Sequence, residues 1–217
     1  FNPILEHNGV LTQEDGYISD IFTDKTLDFI EKQGEDPFFV WLAYNTPHSP
    51  MQVPDSYWED LEIDSMKQLE VARDTLHTKA AYAMVQNLDD NVGRILQLLR
   101  DKDLEDNTIV VYLTDNGPNG YRYNGGMKGI KGSTDEGGTR SPLFIQWKNH
   151  LEHRVVTENG GAIDLFPTLA GLTGIEPLTD LPLDGMDLLS GSPDLTERIL
   201  VQHWNGRIGI RSGEYRL

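Results

Sequence analysis

Residues 108 to 117 read "TIVVYLTDNG", an apolar, β-branched run that delivers Thr114, Asp115 and Asn116 into a glycine turn. The Ile, Val, Val, Tyr and Leu side chains have strand composition, and Asp-Asn-Gly ends the strand with residues that favour a turn. Just before it lies the most periodic segment of the chain. From about Leu69 to Arg100, the apolar residues Val85, Leu88, Val92, Ile95, Leu96 and Leu99 recur at three- and four-residue steps, which predicts a long amphipathic helix. Helix followed by strand is thus the unit that sets the fold.

Working outward, the same alternation repeats. Residues 17 to 33 predict a helix carrying Ile18, Ile21, Phe22, Phe29 and Ile30, with Gly34 as its stop. It feeds "PFFVWLAYN", 37 to 45, whose composition is that of a strand buried on both faces. Downstream, "PLFIQW" at 142 to 147 predicts another strand, followed by a helix near "AIDLFPTLAGL" with Asp164 as N-cap and Gly174 as stop. Strand, helix, strand order predicts an α/β fold with a mainly parallel sheet flanked by helices. After Pro182 the texture changes. "ILVQHW" and "RIGIRSGEYRL" read as short antiparallel strands with Ser212 and Gly213 in a hairpin turn, the start of a small C-terminal subdomain. The expected division is 1–181 and 182–217.

Composition excludes several function classes. The 217 residues carry a formal net charge of -17, which would repel a phosphate backbone, so nucleic acid is not an expected partner. No apolar run is long enough to span a bilayer, so no membrane partner is expected, and an export leader would have been removed or would lie upstream of Phe1. With no cysteine, disulfides, thiolate metal sites and a cysteine nucleophile are excluded within this stretch.

In open parallel sheets ligands sit beyond the carboxyl ends of the strands. Two predicted strands end in polar loops of that kind. The first runs into "NTPHSP", which presents His48 between prolines, and the second into Asp115 and Asn116. A carboxylate beside an amide oxygen suits Ca²⁺ or Mg²⁺, although Asp-Asn-Gly is also a common Asx-turn. The next stretch, "GGMKGIKGSTDEGGTRSP" at 125 to 142, concentrates Lys128, Lys131 and Arg140 in a glycine-rich loop of an acidic chain. Such a loop suggests an anion site. Structural roles compete for its neighbours: Lys128 as a solvated lysine, Arg140 as the ion partner of Glu136, Asp89 and Asp90 as surface residues or partners of Arg94, and His203 with Trp204 as a packed aromatic pair.

These residues also resemble a family. "PFFVWLAYNTPHSP", "YAMVQNLDDNVGRILQLL", "TIVVYLTDNG", "KGSTDEGGTRSP", "AIDLFPTLAGLTGI" and "LDGMDLL" are similar, in order, to blocks of the sulfatases of the alkaline phosphatase-like superfamily. The resemblance implies a sulfuric ester hydrolase acting on a sulfated small molecule or glycan. It further implies Asp115 and Asn116 as ligands of Ca²⁺ (Mg²⁺ as substitute), Lys131 on the sulfate and His48 on the sulfate or leaving-group oxygen. Lys128 is a further substrate-binding candidate, and a periplasmic, secreted or lysosome-like location is implied.

The chain also departs from the family. The block with two adjacent metal-binding aspartates and the Cys/Ser-x-Pro-x-Arg segment that yields the formylglycine nucleophile are both missing from the 217 residues. The expectation is therefore the back part of a catalytic domain, with formylglycine supplied upstream, inactive by itself. A phosphodiesterase or phosphonate hydrolase of the same superfamily, or a noncatalytic binding module, would use the same residues.

Overall fold

A computed structural model describes residues 1–62, 75–120, 122–178, 181–189, 195 and 198–217. They form two compact units, residues 1–125 with 142–152, and residues 126–141 with 153–217.

The first unit is organised by two helices, α1 (Ile18–Gln33) and α3 (Thr75–Asp101), with the short α2 (Asp55–Asp60) against α3. The start of the predicted long helix, 69 to 74, lies outside the described residues. The buried stripe of α3 is Ala80, Ala81, Ala83, Met84, Leu88 and Leu99, whereas Val85, expected on that face, is 42% exposed. Small alanines let α1 approach closely. Ser19, Thr23 and Thr26 are buried on α1 without cost because Thr23 and Thr26 return their hydroxyl protons to carbonyls one turn back, at 2.8 and 2.9 Å. Asp20 of α1 receives the amides of Asn87 and Asn91 at 2.9 and 2.7 Å, and both asparagines are buried. That shared acceptor fixes the register of the two helices, since sliding either would leave buried amide donors unpaired. Arg94 bonds Asn91 and Asp24, and Asp90 accepts from Tyr57 at 2.8 Å, so the expected pairing of Arg94 with Asp90 gives way to contacts with neighbouring elements. As predicted, α1 ends at Gly34, with φ 62.

The expected parallel sheet is not found among the described residues, whose strand pairings are antiparallel. A hairpin, β1 (Ile4–His7) and β2 (Val10–Gln13), turns through Asn8 and Gly9, both at positive φ. The strand β3 (Val110–Leu113) pairs antiparallel with β4 (Leu143–Gln146), Val110 opposite Gln146 and Leu113 opposite Leu143. All sheets among the described residues are antiparallel. The reason lies in the connection: a parallel return needs a crossover, usually helical, and among the described residues between β3 and β4 the only helix is the four-residue α4 (Glu136–Thr139). Residues 37–45 carry no strand pairing. Their exposure alternates, with Phe39 and Trp41 about three-quarters exposed at 75% and 74% and Phe38, Val40, Leu42 and Tyr44 half-buried, so one face rather than both is covered.

The second unit joins α4 and its loop to α5 (Leu165–Thr173) and a three-stranded antiparallel sheet, β5 (Ile199–Trp204), β6 (Arg207–Ser212) and β7 (Tyr215–Arg216). The C-terminal strands match expectation, but the last turn runs through Gly213 and Glu214 rather than Ser212 and Gly213, because Ser212 ends β6 and pairs with Tyr215. Gly174 caps α5 in the left-handed region at φ 68, as predicted. Asp164 stands at the predicted N-cap position of α5, but its side chain makes no cap hydrogen bond to that helix. It is fully buried, accepts from Gly161 N at 2.7 Å and Met186 N at 2.8 Å, and takes both terminal nitrogens of Arg198, itself buried. Burial alone would raise this carboxyl, but Arg198 and the two amides outweigh it and hold it below the usual carboxylate range. Gly185 passes so close that a Cβ there would lie 1.9 Å from the Ile163 carbonyl oxygen. No described helix is long and apolar enough to cross a membrane.

Candidate functional site

His48 follows the extended segment, and the start of α1 holds its loop. The Thr23 hydroxyl donates to Ser19 O at 2.8 Å, so in its 2.6 Å contact with Tyr44 it accepts the phenol proton. Burial keeps that phenol protonated by raising its pKa. Ser19 Oγ meets Thr46 Oγ1 at 2.9 Å, and Tyr17 donates to Gln52 O at 2.9 Å, so residues 44, 46 and 52 are tied to the same end of the helix. Within the loop, the His48 amide bonds Asn45 O at 3.2 Å and its Nδ1 lies 3.0 Å from Ser49 O. A carbonyl only accepts, so Nδ1 carries a proton and Nε2 is left outward on an exposed ring.

Asp115 and Asn116 stand where predicted, past the carboxyl end of β3. The ladder runs one step beyond Leu113, through Thr114 N to Pro142 O at 3.3 Å, and then the chain turns. The Asn116 amide nitrogen donates to Gly117 O at 2.8 Å. Its Oδ1 is thereby the atom left to serve a cation, beside the exposed carboxylate of Asp115. Both donors are hard oxygens and fit Ca²⁺ or Mg²⁺, but they meet only two of the six to eight positions that Ca²⁺ takes. Among the described residues no group of three or more His, Cys, Asp or Glu side chains is poised to hold a metal.

Lys131 belongs to the second unit. It occupies the second position of a turn closed by Ser133 N to Ile130 O at 3.0 Å, with Gly132 at φ 82 in the third. Positive φ at that position is the type II signature and explains the glycine. The turn rests on α4 with no room to spare. Gly137 N bonds Lys128 O at 2.8 Å, and a Cβ on Gly138 would lie 2.4 Å from Ile130 O and 2.6 Å from Ser133 O. A Cβ on Gly129 would lie 2.4 Å from Ser133 Oγ, a hydroxyl that is enclosed and has no hydrogen-bond partner among the described residues.

The cations of this loop are sorted by its two carboxylates. Lys128 lies 3.5 Å from Asp135 with its side chain 87% exposed, as a solvated loop lysine would. Arg140 pairs with Glu136 at 2.9 Å, as predicted. Lys131, half-buried, forms no ion pair with any described residue. Thus His48, Asp115 and Asn116 lie in one unit, Lys128 and Lys131 in the other.

Two partners of the loop were not singled out from sequence. Arg211 of β6 donates to Glu136 at 2.8 Å, and Arg216 of β7 donates to Thr134 O and lies 3.9 Å from Asp135. Together with Arg140, Arg211 holds the Glu136 carboxyl below the usual range, Arg211 contributing most. One signal was readable: Gly209 interrupts β6, and a glycine inside a strand often marks a close backbone approach. A Cβ there would lie 3.0 Å from Thr134 O. On β5, Trp204 Nε1 lies 3.4 Å from the Cβ position of Gly132, and the ring is 58% exposed. It therefore lies against the loop rather than in a packed pair.

The sulfatase family model matches residues 3–175. An uncharacterized sulfatase of Escherichia coli K12, YdeN, is 34% identical over 219 residues, covering 94% of this chain and 37% of that protein. The N-acetylgalactosamine-6-sulfatase of Sus scrofa is 32% identical over 212 residues, covering 92% of this chain and 38% of its own length. Among solved structures, Ps i-CgsB superposes with a TM-score of 0.85 at 29% identity, over 99% of this chain and 48% of that one. It has also been solved in complex with k-i-k-neocarrahexaose, matching at a TM-score of 0.81. The chain thus spans about two fifths of the curated relatives it matches, and its structural neighbours share the alkaline phosphatase-like sulfatase fold. The chain belongs to the sulfatase family.

Proposed function

We propose that this chain is part of a sulfuric ester hydrolase that cleaves a sulfate monoester, with Lys131 contacting the sulfate. The observation that carries the reading is the state of that lysine. In a chain of net charge -17, and in a loop where Lys128 and Arg140 pair with Asp135 and Glu136, Lys131 is held in a rigid turn with no carboxylate partner among the described residues. An anion supplied from outside is the natural complement.

Negative charge on the transferring group grows toward the transition state, so a fixed cation stabilises it more than the ground state. His48, with Nδ1 protonated on Ser49 O, presents Nε2, which in the imidazolium form donates a proton to a departing alkoxide. Asp115 and the Asn116 amide oxygen would hold Ca²⁺, or Mg²⁺, together with ligands from sequence outside these residues. When bound, that ion supplies Lewis-acid polarisation of the sulfate oxygens. A formylglycine nucleophile from outside the 217 residues completes the proposal, and the enclosure of Ser133 Oγ supports looking for the nucleophile elsewhere than beside Lys131.

For the substrate we favour a sulfated glycan, in a periplasmic, secreted or lysosome-like setting. The support is the likeness to N-acetylgalactosamine-6-sulfatases and to Ps i-CgsB, whose structure was solved with an oligosaccharide.

The test is Lys131→Ala in the full-length protein, assayed with a chromogenic aryl sulfate and a sulfated oligosaccharide. Loss of kcat by about 10²-fold, with a smaller change in KM, is expected from comparable electrostatic contacts. An unchanged kcat in a folded variant refutes the role.

A further inference from the structure

The loop that carries Lys131 is gripped from two directions, and the grip runs through backbone with no slack. Glu136 begins α4, and its Oε1 accepts both from Arg140, one turn later, and from Arg211 on β6, 75 residues away in sequence at 2.8 Å. The Arg140 contact is internal to the loop and cannot hold it against anything else. Arg211 is the contact that ties the Glu136 side chain of α4 to the C-terminal sheet, beside Arg216 of β7, which donates to Thr134 O just ahead of the helix. From α4 the constraint passes to Lys131 without a flexible joint. Gly138 is packed against Ile130 O and Ser133 O so tightly that a Cβ would sit at 2.4 and 2.6 Å from them. Those two residues are the ends of the turn that presents Lys131. Any displacement of α4 must therefore move the turn. On the other side, Gly209 of β6 meets Thr134, and Trp204 of β5 meets Gly132, so the sheet lines the loop along its length.

We propose that Arg211 is a positioning residue for Lys131, acting through Glu136. The inference rests on the reading of Lys131 as the sulfate-contacting cation, and it extends that reading to a residue which itself touches no substrate. Glu136 plays two parts. Its charge holds Arg211, and its capture of both Arg140 and Arg211 keeps Lys131 the one loop cation with no carboxylate partner among the described residues. If Arg211 is removed, α4 loses its ion pair to β6, the contacts of Gly209 and Arg216 with Thr134 alone tie the segment to the sheet, and the ammonium of Lys131 is held less closely at one place relative to the reacting group. Displacements of about 1 Å at such a group cost up to about 10²-fold in rate.

The experiment is a double-mutant cycle on the full-length protein, with turnover of a chromogenic aryl sulfate as readout. Arg211→Ala is expected to lower kcat by about 10-fold to 10²-fold with little change in KM, and Arg211→Lys, which can still donate to Glu136, to recover part of that loss. In the Lys131→Ala background, Arg211→Ala should cost almost nothing more, because the residue it positions is gone. A merely structural arginine would lose activity equally in both backgrounds, and that result overturns the proposal. So does wild-type kcat in Arg211→Ala when Lys131→Ala is impaired. If Lys131→Ala itself keeps wild-type kcat, the sulfate-contact reading fails and this proposal with it, a pattern distinct from the first two. Should Arg211→Ala not fold, Glu136→Gln, which keeps the side-chain shape and removes the charge, runs the same cycle: a loss confined to the Lys131 background supports the proposal, and an equal loss in both overturns it.

Discussion

Replacing Gly138 by Ala asks whether the contact between α4 and the Lys131 turn is as tight as the backbone geometry requires. The added methyl would sit 2.4 Å from Ile130 O, 2.6 Å from Ser133 O and 2.7 Å from Ser133 Oγ. Two of these three atoms are carbonyl oxygens, and Ile130 O is already engaged by Ser133 N at 3.0 Å, so the clash cannot be relieved by swinging a side chain away. Overpacking of this kind costs typically about 1–3 kcal/mol, and a clash with backbone belongs at the upper end. Against it stands the entropic gain of removing a glycine from a helix, about 0.5–1 kcal/mol. The net expectation is a loss of about 2 kcal/mol. Gly93→Ala is the internal control, since Gly93 lies on an exposed turn of α3 with nothing within 4 Å of its Cβ position. There only the favourable part remains, and stability should rise by about 0.5–1 kcal/mol. Urea unfolding at common m would resolve the pair, with the Gly138 variant shifted down by about 1 M for a slope of about 2 kcal/mol/M. A Gly138→Ala midpoint at or above wild type, alongside a stabilised Gly93→Ala, would refute the packing argument and the rigid coupling built on it.

Two further outcomes follow from the buried ion pair. Arg198→Met should destabilise by about 3–5 kcal/mol in the same urea assay, because it leaves the Asp164 carboxylate buried with only the Gly161 and Met186 amides to hold its charge. As the folded pKa of Asp164 is depressed, its contribution is complete above the unfolded value near 3.8 and is lost as pH falls through the lower folded value. Stability measured between about pH 6 and about pH 2, values chosen to bracket the carboxylate range near 4, should fall at the acid end in wild type. In Arg198→Met the guanidinium that lowered the pKa is gone while burial still raises it, so the acid-dependent loss should shrink or reverse. An equal acid-dependent loss in both proteins would show that Asp164 is not its source.

How far the sequence reveals this fold depends on the range of the interaction involved. Helices α1, α3 and α5 were legible because their signals are local: apolar periodicity, and glycine stops at Gly34 and Gly174 that the chain uses in positive φ. The β1–β2 hairpin was legible in principle from Asn8-Gly9, the pair that two-residue hairpin turns favour, although its strands are short and largely exposed. Strand direction was not legible. Alternation of strands and helices implies parallel order only where a helix makes the crossover, and the described residues of the 114–142 connection include no helix long enough to do so. The run 37–45 misled in a related way, since apolar composition says that a strand wants cover but not whether both faces receive it.

The site divides along the same line. Asp115, Asn116, His48 and Lys131 could be singled out as candidates because each stands in a local context, a strand end or a glycine turn, that is visible in the sequence itself. Arg211 and Arg198 were not, because their roles depend on partners 75 and 34 residues away, and an arginine in a strand reads as a solvated side chain until its acceptor is located. The glycines offered a partial bridge. Gly129, Gly132, Gly138 and Gly209 all face neighbours that would meet or crowd a Cβ, so the glycine density of 125–142 reports packing as much as flexibility. That reading changes what the loop does. A flexible basic loop would let Lys131 find the nearest of the chain's 35 carboxylates. A loop packed against α4 and clasped to β6 denies it that choice, and so keeps Lys131 without a carboxylate partner among the described residues of a strongly acidic protein.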